Sequence, residues 1–251
     1  MLQIFTCRSM LASPSVLCSR ACLRPLLSDC NFKIGGKVIE FVSSYSHLGH
    51  VVNDSLYDGP DISKRQGDFI GQVNSVLCDF RQLPSIVKYR LFSSYCTSFY
   101  GSELWHLSNA KLVNFGITWR KSVRKIWNLP NTAHCNLIPL LCGFLPFQDE
   151  ICRRFLHFVY KCMFSAVAVV RSVAHYAVTY GRNHSPLGRN LLVCMNRYKC
   201  SLCDIFRPNI SRIHGFIVER VFNYNTVSSL QPANFLRECA MVRDGLLTLP
   251  N

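Results

Sequence analysis

From Pro60 the spacing of apolar positions changes from two to between three and four. Ahead of that point the runs are short. In residues 31–42, Phe32-Lys33-Ile34 and Val38-Ile39-Glu40-Phe41 flank Gly35-Gly36, a pattern that predicts a β-hairpin. Residues 45–52 continue as one further strand, with Gly49 at a bulge or close backbone approach. On such a strand His47 and His50, three apart, point to different faces and make a poor metal pair.

Beyond it the period is helical. Ile62, Phe69, Ile70, Val73, Val76, Leu77 and Phe80 share one face of a helix that opens near Pro60. Gly67 and Gly71 lie within that helix one turn apart, which marks a close helix contact. After Leu83-Pro84, Val87, Leu91, Tyr95 and Phe99 recur every four residues until Gly101 ends the pattern. Residues 109–128 form the next helix, with Leu112, Phe115, Trp119, Val123, Ile126 and Trp127 on one side. Ser108 or Asn109 caps its start and Pro130 stops it. A long pattern follows Pro146, carrying Ile151, Phe155, Phe158, Val159, Cys162, Ala166, Val169 and Val173. Residues 180–188 are a loop by composition, 191–198 a shorter helix, and 232–247 a last one with Phe235, Cys239, Val242 and Leu246 on one face.

Charge sharpens one of these helices. The net charge is +14, and no acidic residue lies between Glu103 and Asp149. From Leu104 to Cys203 there are thirteen Lys and Arg against two acids, Asp149 and Glu150. In helix 109–128, Arg120, Lys121, Arg124 and Lys125 stand away from the aromatic stripe. An apolar face turned inward and a cationic face turned outward predict phosphate contacts with nucleic acid. At helical spacing the three tryptophans, Trp105, Trp119 and Trp127, read as core side chains rather than base-stacking platforms.

Fourteen cysteines suggest disulfides until their positions are considered. Cys78, Cys96, Cys135, Cys142, Cys152 and Cys162 sit within apolar helical patterns, where free thiols behave as small hydrophobes in a reducing compartment. The most apolar run, 162–170, lies between Lys161 and Arg171 and is far short of the roughly 20 residues of a membrane span. Residues 1–30 hold Arg8, Arg20 and Arg24 with no acid before Asp29; they are expected to form an unpatterned basic leader outside the fold.

Chemistry is sparse. Polymerases and two-metal nucleases need converging carboxylates, yet the adjacent acids Asp149-Glu150 suit a helix start, where negative charge meets the positive end of the dipole. No phosphate-binding loop, nucleophile elbow or zinc-protease motif occurs. Cys200 and Cys203, with Cys194 before and His214 after, have the donor types for zinc. A single Cys-x-x-Cys without a second pair favours ordinary packing, and no metal is expected.

The ordered series Phe32-Lys33-Ile34-Gly35-Gly36-Lys37-Val38-Ile39, Ser46-His47-Leu48-Gly49, Asp61-Ile62, Leu91-Phe92-Ser93-Ser94-Tyr95-Cys96, Tyr100-Gly101-Ser102-Glu103-Leu104-Trp105, Trp119-Arg120-Lys121, Arg124-Lys125-Ile126-Trp127 and Leu129-Pro130 resembles the tail of non-LTR (LINE-type, jockey-like) retrotransposon reverse transcriptases. Arg243-Asp244-Gly245 is similar to the end of such reading frames, and the likeness covers about residues 31–251. In that family this region follows the polymerase palm and forms the thumb and post-polymerase segment. The resemblance implies a thumb role in which His47, Leu48 and Gly49 lie near the primer terminus and the following helices hold the template–primer duplex. It also implies a departure, because the family's Tyr/Phe-Ala-Asp-Asp motif upstream of the Gly-Gly hairpin has no counterpart here.

The expectation is therefore a mainly α protein: a helical thumb-like bundle with a short N-terminal β-hairpin and a second helical C-terminal unit. The divisions fall at 1–30, 31–54, 55–130 and 131–251. As an isolated chain it is expected to be no enzyme. It would bind RNA or RNA–DNA hybrid without sequence preference, with no membrane and no small-molecule ligand, in the nucleus or cytoplasm. Magnesium would enter only with a polymerase palm encoded upstream, the alternative in which this chain is part of a full RNA-directed DNA polymerase. A further alternative is a basic helical interaction protein, mitochondrial if residues 1–30 act as a presequence.

Overall fold

The computed structural model of the chain describes residues 5–6, 15–17, 33–34, 36–38, 40–133, 138, 145–181, 183–206, 215 and 217–218. Among these the secondary structure is mainly helical, with seven α-helices and several short strands. The chain divides into two compact units, Met1–Gly67 and Asp68–Asn251.

In the first unit, β1 (Phe5–Thr6), β2 (Ser15–Leu17) and β5 (Glu40–Phe41) form a sheet in the order β1-β2-β5, antiparallel and then parallel. Strands of two or three residues are too short to show a period, so nothing in the leader's pattern announces β1 and β2. Between them and β5 in sequence, β3 (Lys33–Ile34) and β4 (Lys37–Val38) make the expected antiparallel hairpin, Ile34 opposite Lys37, with Gly36 at φ +81° in its turn.

Residues 45–52 depart from the single bulged strand. They form a second hairpin, β6 (Ser44–His47) and β7 (His50–Asn53), turning at Leu48-Gly49. Both turn residues have positive φ, +48° and +83°, as a type I′ turn demands. Leucine is a poor left-handed residue, which hides the turn from the sequence. One consequence is that His47 and His50 are directly opposed across the ladder instead of facing apart. Helix α1 (Gly59–Asp79) begins in this unit, and its first turns hold the hairpin. Asp61 accepts from the Val51 N–H at 2.9 Å and meets His50 Nδ1 at 3.1 Å, while Arg65 Nη2 donates to the Gly49 carbonyl at 3.2 Å.

In the second unit α1 presents Phe69, Val73 and Val76 to the core, whereas Ile70 and Phe80 are exposed, so the buried stripe is narrower than expected. The close contact expected at Gly67 and Gly71 is not there: both are exposed, with open space where a Cβ would stand. Helix α2 (Ser85–Leu91) runs into one wide π turn, Phe92–Cys96. The buried face runs through Tyr89, Phe92 and Cys96, so Tyr95 points out, contrary to the expected four-residue series, of which Phe99 is buried. Gly101 then takes φ +76° and starts a short 3₁₀ turn, Ser102–Leu104, that delivers Trp105 to the core.

Helices α3 (Ala110–Ile126), α4 (Phe147–Met163), α5 (Ala168–Thr179), α6 (Pro186–Tyr198) and α7 (Leu202–Ile205) follow. The long pattern after Pro146 is two helices. A break at Phe164-Ser165 resets the phase, leaving Val169 and Val173 exposed on α5. Helix α6 starts within the expected loop because Ser185 caps it, its hydroxyl accepting from Gly188 N at 2.9 Å, with Pro186 in the first turn. The expected helix over 232–247 lies outside the described residues, as do Cys135 and Cys142. Cys96 and Cys152 are buried as expected, but Cys78 is exposed on the outer side of α1.

Two clusters make the core of this unit. In the first, Phe69, Phe99, Phe115 and Phe147 pack ring to ring, Phe115 and Phe147 at 4.5 Å between centroids. Each such buried ring is worth about 2–3 kcal/mol relative to exposure. The second lies among α4, α5 and α6 and includes Phe155, Leu156, Val159, Val178, Leu191 and Cys194. Asn190 ties the loop before α3 to α6. Its amide accepts from Leu107 N at 2.9 Å and donates to the Trp105 carbonyl at 2.8 Å, so both the oxygen and the nitrogen of a buried side chain have a partner.

Candidate nucleic-acid interface

The basic helix α3 is fixed from both ends. Asn109 caps it, its side chain accepting from Lys111 N at 3.0 Å. At the other end Asn128 takes φ +51° and Leu129 N reaches back to the Arg124 carbonyl at 2.8 Å. This is a Schellman closure with asparagine in the left-handed position, so the stop precedes Pro130. Leu112, Phe115, Gly116, Trp119, Val123 and Ile126 form the buried side. Gly116 admits the Phe147 ring, which lies 3.6 Å from where a Cβ would be. Trp105 and Trp119 are buried, as expected for core residues, while Trp127 is half-buried against Tyr89 at 5.2 Å.

The four cations are not equivalent. Lys121 and Lys125 are exposed. Arg120 and Arg124 are half-buried, and Arg124 Nη2 donates to the Ala133 carbonyl at 2.7 Å, holding the segment that leaves the helix. Arg124 and Lys125 also sit in the last turn, where positive charge offsets the helix dipole.

Around α3 the acids of this region are consumed. Glu150 accepts from Arg153 at 2.7 and 2.8 Å and from Arg154 at 2.8 Å. Burial raises the Glu150 pKa, but these hydrogen bonds and the two positive charges outweigh it and leave it below the usual carboxylate range. Arg154 also donates to the Thr97 and Ser98 carbonyls and lies over the Phe99 ring. Asp149 is buried and held by Arg197 and by the Tyr198 hydroxyl. Both acids do stand in the first turn of α4, as their sequence position predicts. The reach of Asp149 to α6, and of Arg154 to the loop at 97–98, is the part that local sequence does not carry.

The remaining candidates are scattered. His47, Leu48 and Gly49 occupy the exposed tip of the second hairpin. Cys194 is buried, Cys200 half-buried and Cys203 exposed, and His214 lies outside the described residues. Among the described residues no group of three or more His, Cys, Asp or Glu side chains is arranged to hold a metal ion. Nor is any described helix long and apolar enough to cross a membrane. The constellation missed in the sequence is Cys152, Cys194, Arg197, Tyr198 and Asp149, brought together by α4 and α6. Comparisons with protein-family models, curated proteins and solved structures find no match to this chain.

Proposed function

We propose that this chain is a nucleic-acid-binding module related to the thumb and post-polymerase region of non-LTR retrotransposon reverse transcriptases. It would hold RNA or RNA–DNA hybrid through phosphate contacts without sequence preference, and it would perform no polymerisation by itself. The observation that supports this reading best is the charge arrangement around α3. Its apolar side is buried and Lys121 and Lys125 are exposed on its outer side, while Asp149 and Glu150, the two acids of the surrounding hundred residues, are tied up by arginines. A surface so arranged presents a positive field to a polyanion.

Affinity of the full chain for single-stranded RNA and for an RNA–DNA hybrid, measured across salt concentrations, tests the proposal. The logarithm of the binding constant should fall by about 0.7–0.9 per phosphate contact for each unit of log salt. Lys121→Gln with Lys125→Gln should shallow that slope by roughly 1.5 without touching the fold. Adding Arg120→Gln and Arg124→Gln should shallow it further, with some loss of stability from the Arg124 bond to Ala133. Binding indifferent to both salt and these substitutions removes the reading.

A further inference from the structure

The densest group of reactive side chains in the described residues lies away from α3, where α4 and α6 face each other. Cys152 and Cys194 meet there, 4% and 0% exposed, within the second core cluster. Asp149, one turn before Cys152, is held by Arg197 and Tyr198, one turn after Cys194, which sets the two thiols on the facing sides of α4 and α6; their mutual interaction lowers the Cys152 pKa and raises that of Cys194. The Arg197 charge and the Tyr198 hydroxyl face the Cys152 sulfur and favour its thiolate, against burial and the Asp149 carboxylate. A third thiol is close by for a backbone reason. Lys199 ends α6 at φ +49° and Cys200 N reaches the Met195 carbonyl at 3.2 Å. A closure of this type folds the residue after the left-handed one onto the last turns of its helix. Half-buried Cys200 therefore packs against the cluster that contains Cys194.

We propose that Cys152 and Cys194 are a redox-active dithiol that hydrogen peroxide converts to a disulfide, fastening α4 to α6. The Cys152 thiolate attacks one peroxide oxygen. The O–O bond breaks, hydroxide leaves and takes a proton to become water, and Cys152 becomes a sulfenic acid. The Cys194 sulfur then attacks the Cys152 sulfur. The S–S bond forms as the S–O bond breaks, and the Cys194 proton leaves with the second water. Two thiols lose two electrons and two protons, and one peroxide becomes two waters. A dithiol of this kind fits a reducing compartment, where cysteine pairs are transiently oxidised rather than permanently bridged.

The test uses the reduced full-length chain treated with hydrogen peroxide at neutral pH. Remaining thiols are blocked under denaturing conditions and peptides are mapped by mass spectrometry. A linked peptide pair joining Cys152 to Cys194, lighter by two hydrogens and released by dithiothreitol, is the expected result, together with a higher melting midpoint for the oxidised chain. The linkage should persist when the exposed thiols are removed by Cys78→Ser and Cys203→Ser. Cys194→Ser should leave Cys152 as a trappable sulfenic acid. If a core variant does not fold, the wild-type map decides. Oxidation confined to Cys78 and Cys203 with Cys152 still reduced, or a linkage of Cys194 to Cys200 instead, overturns the proposal.

Discussion

Arg197, near the end of α6, grips Asp149 in the first turn of α4 at two points, Nε to Oδ1 at 2.7 Å and Nη2 to Oδ2 at 3.1 Å. The partners are unequally buried: the Asp149 side chain is 3% exposed and that of Arg197 is 40% exposed. Removing the arginine therefore strands a carboxylate in the core with the Tyr198 hydroxyl as its remaining side-chain donor within this cluster. Removing the acid leaves a guanidinium that water can reach. Arg197→Met should cost about 3 kcal/mol, near the low end for a broken buried pair. Asp149→Asn, which keeps an acceptor for Tyr198, should cost about 1–2 kcal/mol. Urea unfolding of both variants checks the order, and a larger loss in Asp149→Asn contradicts it.

Glu150 makes the acid limb of stability predictable. Its pKa is lower in the folded chain than the ordinary 4.5, with Arg153 and Arg154 outweighing burial. As pH falls, the unfolded chain takes up this proton first. The contribution of Glu150 is thus complete above pH 4.5 and is lost as pH drops through the lowered folded value. Glu150→Gln should be less stable than wild type at neutral pH, with the gap closing in acid. Urea midpoints across the acid range measure this. A gap that stays constant down to about pH 3 shows that the ion pairs add nothing.

Gly67 and Gly71 carry a second stability prediction, opposite in sense to the close contact their spacing suggests. Both are exposed within α1 and a Cβ at either meets nothing within 4 Å. Substitution by alanine should then recover helix propensity, about 0.8–1 kcal/mol at each position. Thermal and urea unfolding of Gly67→Ala and Gly71→Ala read the gain directly. A loss would mean that these glycines are held by a contact after all.

These cases separate what was legible in the chain from what was not. Where one periodic signal ran uninterrupted between clear caps, as from Asn109 to Asn128, the helix, most of its buried face and the exposed Lys121 and Lys125 followed from spacing, while half-buried Arg120, Arg124 and Trp127 did not. Departures came where the pattern ran across a backbone irregularity. The stretch that runs into the π turn at Phe92–Cys96 buries Tyr89, Phe92 and Cys96 and leaves Tyr95 exposed, and beyond the break at Phe164-Ser165 Val169 and Val173 are exposed. Local patterns also carry no record of partners distant in sequence. Asp149 looks like a helix-start acid from its neighbours, and only the packing of α6 on α4 makes it the buried anchor of Arg197 and Tyr198. The Cys152 and Cys194 pair was hidden for the same reason.

Leu48 offers the most direct probe of the hairpin tip. It holds φ +48° and is 72% exposed, so it bears left-handed strain with little burial in return. A left-handed backbone costs a residue with a Cβ about 1–2 kcal/mol, and asparagine is the preferred side chain at this place in a type I′ turn. Leu48→Asn should raise the unfolding free energy by about 1 kcal/mol. Gly49→Ala should lower it, because φ is +83° and a Cβ would stand 3.2 Å from Arg65 Nη2. If the tip also touches nucleic acid, Leu48→Asn should weaken binding while it stabilises the fold, a split that separates a contact residue from a structural one. Loss of stability in Leu48→Asn would instead show that the leucine packs against something that its exposure does not reveal.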